Sequence, residues 1–267
     1  MQSNLSQVYQ IQKFLNSINY PDAYRLSREI AEYLSINKEQ SVEQIISQLK
    51  QNKPWEYICG YTEFCKNRFK VTEDTMIPRI ETEQLVYECR DLINQEGICN
   101  VLDIGTGCGC IAISLAYYTE NTNIIATDIS QRALEVAKEN EKNILTKKQI
   151  TWYKTDLIDS IQRLDTPTLL IANLPYIPTK LYEKLDDSVL LYEPKIALEG
   201  GDDGLHYYRE LFKQLTKKEF TPKGIYIETE SSVFSNTKKL VKQYLPNSKV
   251  KSIKDCFNRN RFLYISF

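Results

Sequence analysis

The chain has 267 residues, of which 42% are apolar, so it can bury one large core or an ordinary core beside a small one. Its 34 basic and 35 acidic residues give a net charge of -1, which argues against a protein that mainly coats nucleic acid, because such binding rests on many Lys and Arg contacts to phosphate. Seven cysteines without C-x-x-C spacing and a single histidine, His206, argue against a zinc site and a disulfide scaffold, so we expect reduced cysteines and no bound metal.

Targeting and membrane-spanning patterns are not apparent in the sequence. The first residues, MQSNLSQVYQIQKF, show no basic stretch followed by an apolar run. No segment approaches the roughly 18 consecutive apolar residues that suggest a spanning helix. We therefore expect a cytoplasmic protein that does not associate with a membrane.

The first fifty residues predict three short amphipathic helices. Apolar residues recur at spacings of three and four along the first of them: Leu5, Val8, Ile11, Leu15 and Ile18. Pro21 is expected in the first turn of the second helix, and Ser41 is expected to cap the third. Because such a bundle is too small to be an enzyme alone, we predict a substrate-recognition domain over residues 1–53.

Residues 54–80 predict a hairpin that links two domains. Aromatic residues here alternate with turn residues such as Gly60 and Asn67. Tyr57, Phe64 and Phe69 are expected to pack in the core rather than to contact substrate, because buried aromatic side chains usually pack.

From residue 81 onward, strands and helices alternate. Strands are predicted over 100–104, 123–127, 150–153, 168–172, 224–228, 249–253 and 261–266, and helices over 109–118, 130–142 and 232–244. This alternation predicts an α/β domain over 81–267, with a seven-stranded, mostly parallel sheet and helices on both faces. The two successive strands at the end imply one antiparallel strand.

A glycine-rich turn follows the first strand of this domain. The run V-L-D-I-G-T-G-C-G over residues 101–109 places Gly105, Gly107 and Gly109 before a helix, which permits a tight turn and close approach of a ligand to the backbone. Asp128 ends the next strand, where a carboxylate can accept hydrogen bonds from both ribose hydroxyls. An ordinary strand-to-helix turn would not need this acidic residue, so the pattern favours a cofactor site.

The run N-L-P-Y over residues 173–176 follows the strand at 168–172. By itself this run is compatible with a rigid loop and no more. At the carboxyl end of a strand in a parallel sheet, however, it faces the crevice in which such sheets bind ligands.

Both segments resemble motifs of class I methyltransferases, which have a Rossmann-like fold and bind S-adenosylmethionine. D-I-G-T-G-C-G is similar to their first motif, and N-L-P-Y is similar to the N-P-P-Y motif of members that methylate planar amide or amino nitrogens. Asp156 could by itself be a loop or cap residue, but the resemblance places it and Leu157 at the adenine. The cofactor-binding residues implied in this way are Asp103, Gly105, Thr106, Gly107, Cys108, Gly109, Asp128, Ile129, Asp156, Leu157 and Asn173.

The resemblance also implies how the N-L-P-Y loop acts in catalysis and substrate binding. Asn173 Oδ1 and the backbone carbonyl of Leu174 would accept the two N–H groups of the target, and Tyr176, after Pro175, would stack on the planar group. Leu174 departs from the family, which has proline there. Since a backbone carbonyl makes the contact, we expect the chemistry to survive.

Further segments resemble the peptide-chain release factor N5-glutamine methyltransferases over about 54–267. Their linker P-x-x-Y-I-x-G-x-x-x-F, their I-P-R-P-E-T-E segment and their E-P-x-x-A-L-x-G-G-x-D-G block are matched at 54–64, 77–83 and 193–204, and Asp255 with Arg259 and Arg261 resembles their C-terminal end. Ile80 replaces a family proline, and residues 229–232 depart from the family run.

This resemblance implies methylation of the glutamine side chain in the GGQ motif of release factors, which modulates translation termination. It implies a release factor as the protein partner, no stable nucleic-acid partner and a monomer. Arg79 and Glu81 would form a wall of the substrate mouth, although these residues and Glu83 are equally compatible with a solvated helix start.

Three other functions remain open at this point. A ribosomal-protein glutamine methyltransferase would share the site and its chemistry. A nucleic-acid adenine N6-methyltransferase fits the near-neutral charge and the linker motifs less well. A non-catalytic adaptor would not need both Asp128 and Asn173.

Overall fold

The computed structural model describes residues 2–20, 22–147, 149–162, 164 and 166–267, so Pro21 lies outside the described residues. The chain divides into two compact units. Unit 1 comprises Met1–Gly60 and Asp187–Tyr192, and unit 2 comprises Tyr61–Asp186 and Glu193–Phe267. Among the described residues, no helix combines the length and the apolar character that crossing a membrane requires.

The helices of the described residues are α1 (Gln2–Ser17), α2 (Ala23–Ile36), α3 (Val42–Lys50), α4 (Trp55–Cys59), α5 (Ile80–Glu96), α6 (Cys110–Tyr118), α7 (Gln131–Ile144), α8 (Thr179–Tyr182), α9 (Asp187–Tyr192), α10 (His206–Lys217) and α11 (Phe234–Tyr244), with a 3₁₀ turn over Lys195–Ala197. The strands are β1 (Tyr61–Phe64), β2 (Asn67–Lys70), β3 (Asn100–Ile104), β4 (Asn123–Asp128), β5 (Thr151–Lys154), β6 (Thr168–Ala172), β7 (Gly224–Glu228), β8 (Lys249–Lys254) and β9 (Asn260–Ser266).

Unit 1 is helical, and its first three helices confirm the three helices predicted from apolar spacing. The predicted stripe of α1 is only partly correct, because Leu5 and Ile18 are exposed. Their buried face includes Ile11, Leu15, Ile30 and Ile45. Ser41 caps α3 as expected, in a reciprocal capping box with the side chain of the third helical residue. Burial of these apolar stripes against one another stabilises helices too short to persist alone.

A distant segment completes unit 1. Tyr192 of α9 donates a hydrogen bond from its hydroxyl to the backbone oxygen of Gln51 at 2.9 Å, and Lys53 Nζ lies 5.7 Å from the centroid of the Tyr192 ring. This segment was not predicted as a helix, because six residues are too few to show a periodic pattern.

The β1–β2 hairpin belongs to unit 2 and is shorter than the sequence indicated. Residues 55–59 form helix α4, which begins after Pro54 and ends at Gly60 with φ 83°. The hairpin is held to unit 2 by Asn140 of α7, whose side chain accepts a hydrogen bond from Lys70 N at 2.7 Å and donates one to Lys70 O at 3.0 Å. Phe64 and Phe69 are fully buried, as expected for core residues.

The seven-stranded sheet of unit 2 has the order β5-β4-β3-β6-β7-β9-β8. Only β9 runs antiparallel to its neighbours, so the predicted α/β fold class and the single antiparallel strand are confirmed. Every residue of β3, β6 and β7 is buried, as in strands with both faces covered.

Helices α10 and α11 pack on one face of this sheet, and α5, α6 and α7 contact strands of the same sheet. Helix α10 was not predicted, although its buried stripe has helical spacing and comprises Tyr208, Leu211, Phe212 and Leu215.

The strand order creates a switch point between β3 and β6. The chain runs from β3 outward through β4 to β5 and then returns to β6 on the other side of β3. The loops that leave β3 and β6 therefore diverge, which opens a crevice at the carboxyl ends of these strands.

Candidate functional site

The glycine-rich turn lies between β3 and α6 at this crevice. The backbone N–H groups of Gly105 and Thr106 both donate to Thr127 O at 2.9 Å, which holds the turn against the end of β4. Gly107 has φ 58°, and a Cβ atom added there would meet nothing within 4 Å. The glycine is needed for this left-handed conformation, and it leaves bare backbone facing open space.

Asp103 supports the turn from behind. Its side chain is buried, and its Oδ2 accepts hydrogen bonds from Thr106 Oγ1 at 2.6 Å and from Ala112 N at 3.2 Å. Burial raises the pKa of Asp103 to about 7. These bonds fix the turn and the first turn of α6.

Asp128 joins the end of β4 to the same turn. Its Oδ2 accepts a hydrogen bond from Gly107 N at 2.9 Å, and its Oδ1 accepts one from Ser130 N at 2.8 Å. Burial raises the pKa of this carboxyl group. Since each carboxylate oxygen can accept two hydrogen bonds, both oxygens can accept a further donor.

A cleft of about 980 Å³, including the part open to solvent, brings most of the predicted site residues together. The predicted residues on its wall are Gly105, Thr106, Gly107, Cys108, Asp128, Ile129, Asp156, Leu157, Asn173, Leu174 and Pro175. Asp103, Gly109, Tyr176, Arg79 and Glu81 do not line it. The wall thus joins the ends of β3, β4, β5 and β6, as the switch-point geometry requires.

Several residues on the cleft wall were missed by the sequence analysis. Tyr207 comes from α10, Met76 precedes the I-P-R segment, and Ile196 lies in the 3₁₀ turn. Met76 and Tyr207 lie outside every motif, and Ile196 lies in the matched block at 193–204, to which no role at the cofactor was assigned. Only the amphipathic stripe of α10 could have pointed to Tyr207.

The Asn173–Tyr176 loop is fixed by contacts from two directions. Leu174 N donates a hydrogen bond to the hydroxyl of Tyr208 at 3.2 Å, and that hydroxyl donates to the backbone oxygen of Glu228. A Cβ atom added at Gly204 would clash with Tyr176 O, so the E-P-x-x-A-L-x-G-G-x-D-G block packs directly against the loop backbone.

Arg79 and Glu81 engage other motif residues. Arg79 Nη2 lies 2.5 Å from Glu193 Oε1, and the other oxygen of this buried carboxylate accepts a hydrogen bond from Ile77 N at 3.1 Å. Glu81 Oε1 lies 3.8 Å from Arg261 Nη2. Motifs that are over a hundred residues apart in the chain are therefore tied together next to the cleft.

A buried carboxylate also lies under the loop. Glu228 ends β7 and is 1% exposed, and its Oε2 accepts a hydrogen bond from Thr82 Oγ1 at 2.8 Å. Burial raises the pKa of Glu228 to about 7. Glu228 lies in no motif, and Thr82 lies in the matched segment at 77–83 but was given no role there.

Comparison with known proteins supports a methyltransferase. The family model for the Methyltransferase small domain matches residues 88–183. A release factor glutamine methyltransferase of Streptococcus pneumoniae is 35% identical over 265 residues, which covers 98% of this chain and 90% of that protein. A release factor glutamine methyltransferase of Bacillus cereus is 32% identical over 246 residues, which covers 90% of this chain and 85% of that protein.

Solved structures share the fold. The catalytic domain of human METTL16, in complex with an RNA hairpin, has a TM-score of 0.59 at 16% identity, with 73% of this chain and 72% of that chain covered. A Thermus thermophilus 16S rRNA methyltransferase in complex with AdoMet and guanosine has a TM-score of 0.52 at 10% identity, with 77% of this chain and 49% of that chain covered. At these identities the likeness concerns the class I methyltransferase fold alone.

Proposed function

This chain belongs to the release factor glutamine methyltransferase family, and from that premise we propose that it methylates the side-chain nitrogen of the glutamine in the GGQ motif of peptide-chain release factors, with S-adenosylmethionine as methyl donor. The observation that carries the proposal is the placement of the glycine turn, Asp128 and Asn173 on one cleft. We further propose that the protein acts in the cytoplasm as a monomer, without a stable nucleic-acid partner. Methylation of the release factor would modulate translation termination.

The residues of the cleft fit the cofactor. The bare backbone at Gly107 leaves room for close approach, and Asp128 retains acceptor capacity for two ribose hydroxyls. Asp156 and Leu157 lie on the same wall, where they would flank the adenine. When bound, the cofactor supplies a methyl group on a positively charged sulfur that departs with the bonding electron pair.

The loop residues would orient the target amide. An amide nitrogen is a poor nucleophile because its lone pair is delocalised, so alignment with the methyl group matters. Asn173 Oδ1 and the carbonyl oxygen of Leu174 accept its two N–H groups, and Tyr176 stacks on its plane. Orientation of this kind can lower a barrier by roughly 7 to 11 kcal/mol in good intramolecular reactions.

The overall reaction forms one nitrogen–carbon bond and breaks one carbon–sulfur bond. The nitrogen then loses one proton to water, because the Asn173 side chain has no pKa in a range suited to a base. Asn173 is thus an orienting group and not a proton acceptor.

Unit 1 is proposed to recognise the body of the release factor. The predicted site residues on the cleft wall belong to unit 2, so unit 1 is left for a role other than methyl transfer. Leu5 and Tyr9 of α1 are 72% and 69% exposed, and they lie one helical turn apart. Large exposed apolar side chains of this kind suit contact with a protein surface.

The proposed activity is tested with labelled S-adenosylmethionine and three substrates in parallel: a release factor, a ribosomal protein and DNA. We expect a methyl group on the GGQ glutamine of the release factor, mapped by mass spectrometry, and a strongly reduced rate of its formation with Asn173→Ala. Methylation confined to the ribosomal protein or to adenine would replace the proposed substrate by the corresponding alternative.

A further inference from the structure

The carboxylate of Glu228 is buried beside the Asn173–Tyr176 loop without lining the cleft. It accepts hydrogen bonds from Thr82 Oγ1 at 2.8 Å and from the hydroxyl of Tyr176 at 3.4 Å. Methyl transfer as described above does not use this group. Because burying a carboxylate is costly even when it is hydrogen-bonded, its position directly behind the orienting residues calls for a physical reason.

The hydrogen bonds around Thr82 have a defined direction. A carboxylate only accepts, so the single hydroxyl proton of Thr82 is donated to Glu228. The lone pairs of Thr82 Oγ1 are then left to accept a hydrogen bond, which Asn173 Nδ2 donates at 3.4 Å. With the Nδ2 group committed to Thr82, the Oδ1 atom of Asn173 is the end of the amide that is left to accept.

This direction matters for the target. An unmethylated glutamine amide presents two N–H donors, which need acceptors. If the Asn173 amide were reversed, it would present N–H groups to N–H groups, and the target nitrogen would be repelled from the productive position. The side-chain amide of asparagine is nearly symmetric in shape, so only its hydrogen-bond partners select one orientation.

Resting on the proposed glutamine methylation, we infer that Thr82 and Glu228 are positioning residues that set the orientation of the Asn173 amide. Glu228 accepts from Thr82, Thr82 accepts from Asn173, and Asn173 Oδ1 is thereby directed to the substrate. The second oxygen of Glu228 holds the hydroxyl of Tyr176, whose ring stacks on the target. One carboxylate thus positions two residues that contact the substrate, and it contacts neither substrate nor cofactor itself.

Charged and titratable groups from several elements face Glu228. They are Arg261 of β9, Glu81 of α5, Tyr176 of the loop, Tyr208 of α10 and Tyr226 of β7. Burial, with a smaller contribution from Glu81, opposes the carboxylate and raises the pKa of Glu228 to about 7, although the hydrogen bonds from Thr82 and Tyr176 and the charge of Arg261 favour the ionised form.

A protonated Glu228 can donate to Thr82. The Thr82 proton is then free to point to Asn173, and the amide orientation is no longer selected. The ionised form is therefore the working form, and its fraction falls as the pH drops through about 7. The rate of methyl transfer should fall with it.

The variant Thr82→Val tests the hydroxyl. It keeps the shape of a fully buried side chain but removes the donor and the acceptor. In single-turnover methylation of an intact release factor by the full-length protein, with saturating S-adenosylmethionine, we expect the rate to fall roughly tenfold or more. The affinity for S-adenosylhomocysteine should stay unchanged, which also shows that the variant is folded. Thr82→Ser restores the hydroxyl and should recover most of the lost rate.

A matched control is Thr168→Val. Thr168 is equally buried, and its hydroxyl donates to Thr166 O at 2.9 Å, but it begins β6 at the end opposite to Asn173. Loss of a buried threonine hydroxyl at this position should leave the rate unchanged. A similar loss of rate in both valine variants would show that the lower rate of Thr82→Val comes from general destabilisation. That result would overturn the inference.

The pH profile separates positioning from packing. The wild-type rate should rise through about pH 7, whereas Glu228→Gln, which cannot titrate, should show a lower rate without this rise. Saturating cofactor keeps the protein loaded at every pH. The titration of Asp103 and Asp128, which would act on cofactor binding, therefore does not contribute to the pH dependence of the measured rate. An unchanged rise in Glu228→Gln, or a Thr82→Val rate within twofold of the wild type, would refute the inference.

The two proposals fail in different ways. If the wild type does not methylate the release factor, the proposed substrate is wrong, and the same variants are compared on the ribosomal protein or DNA that it does methylate. If the wild type is active and the variants behave like it, the proposed function stands and only the positioning role is lost.

Discussion

Replacing Asp128 by alanine is expected to weaken the binding of S-adenosylhomocysteine by roughly 5- to 150-fold, which corresponds to a loss of about 1 to 3 kcal/mol. The magnitude follows from the contacts of this carboxylate. Its oxygens accept hydrogen bonds from Gly107 N at 2.9 Å and from Ser130 N at 2.8 Å, and they would accept two ribose hydroxyls in addition. Alanine leaves all four donors without this acceptor and releases the glycine turn from β4.

Isothermal titration calorimetry with S-adenosylhomocysteine measures the effect directly. Asp128→Asn is the more discriminating variant. One of its two acceptor oxygens becomes an N–H donor, which must face either Gly107 N–H or Ser130 N–H, so we expect weaker binding than in the wild type although the shape is kept. Glu120→Ala removes an exposed carboxylate at the far end of α6 and serves as the control. An Asp128→Ala affinity within twofold of that of the control would refute the assignment of the ribose site.

Three further predictions concern chemistry, pH and recognition. Asn173→Ala is expected to reduce turnover by on the order of 100-fold, with S-adenosylhomocysteine affinity retained, and full single-turnover activity would contradict its orienting role. Burial raises the pKa of Asp103 to about 7, so the native state holds a proton that the unfolded chain releases above about 4. The stability that this proton contributes is fully present at low pH and is lost as the pH rises toward 7. Relative to Asp103→Asn, the free energy of unfolding in urea should fall by up to ~4 kcal/mol over this range, and parallel pH profiles of the two proteins would contradict this. Serine at both Leu5 and Tyr9 is expected to raise KM for an intact release factor about tenfold without changing KM for a short GGQ peptide, and an equal change for both substrates would exclude recognition by unit 1.

The fold class was accessible from the sequence because its signals are local. The apolar runs of β3, β6 and β7 mark strands that are buried on both faces, and their alternation with helices implies a parallel sheet. Once the sheet is parallel, the ends of neighbouring strands meet at one edge. Gly107 and Asp128 could therefore be assigned to one site although they are 21 residues apart, and the structure joins them by a hydrogen bond of 2.9 Å.

The features that were not predicted from the sequence depend on contacts between distant segments. Thr82 and Glu228 are 146 residues apart, and nothing near either residue indicates that one would donate a hydrogen bond to the other. Tyr207 reaches the cleft from α10, which was not predicted. A polar side chain acquires such a role only when the packing of helix against sheet decides which partners surround it.

The sequence by itself determined the alternation of strands and helices, the glycine turn and the run that follows β6, because these depend on spacing, backbone conformation and local hydrogen bonding. Only the tertiary structure decided that α9 joins the first helices in unit 1, that Glu193 ties down Arg79, and that Glu228 lies behind Asn173. These pairings join segments that are more than fifty residues apart in the chain, and their geometry is set by how the apolar faces of helices and sheet pack, which no local pattern of residues encodes.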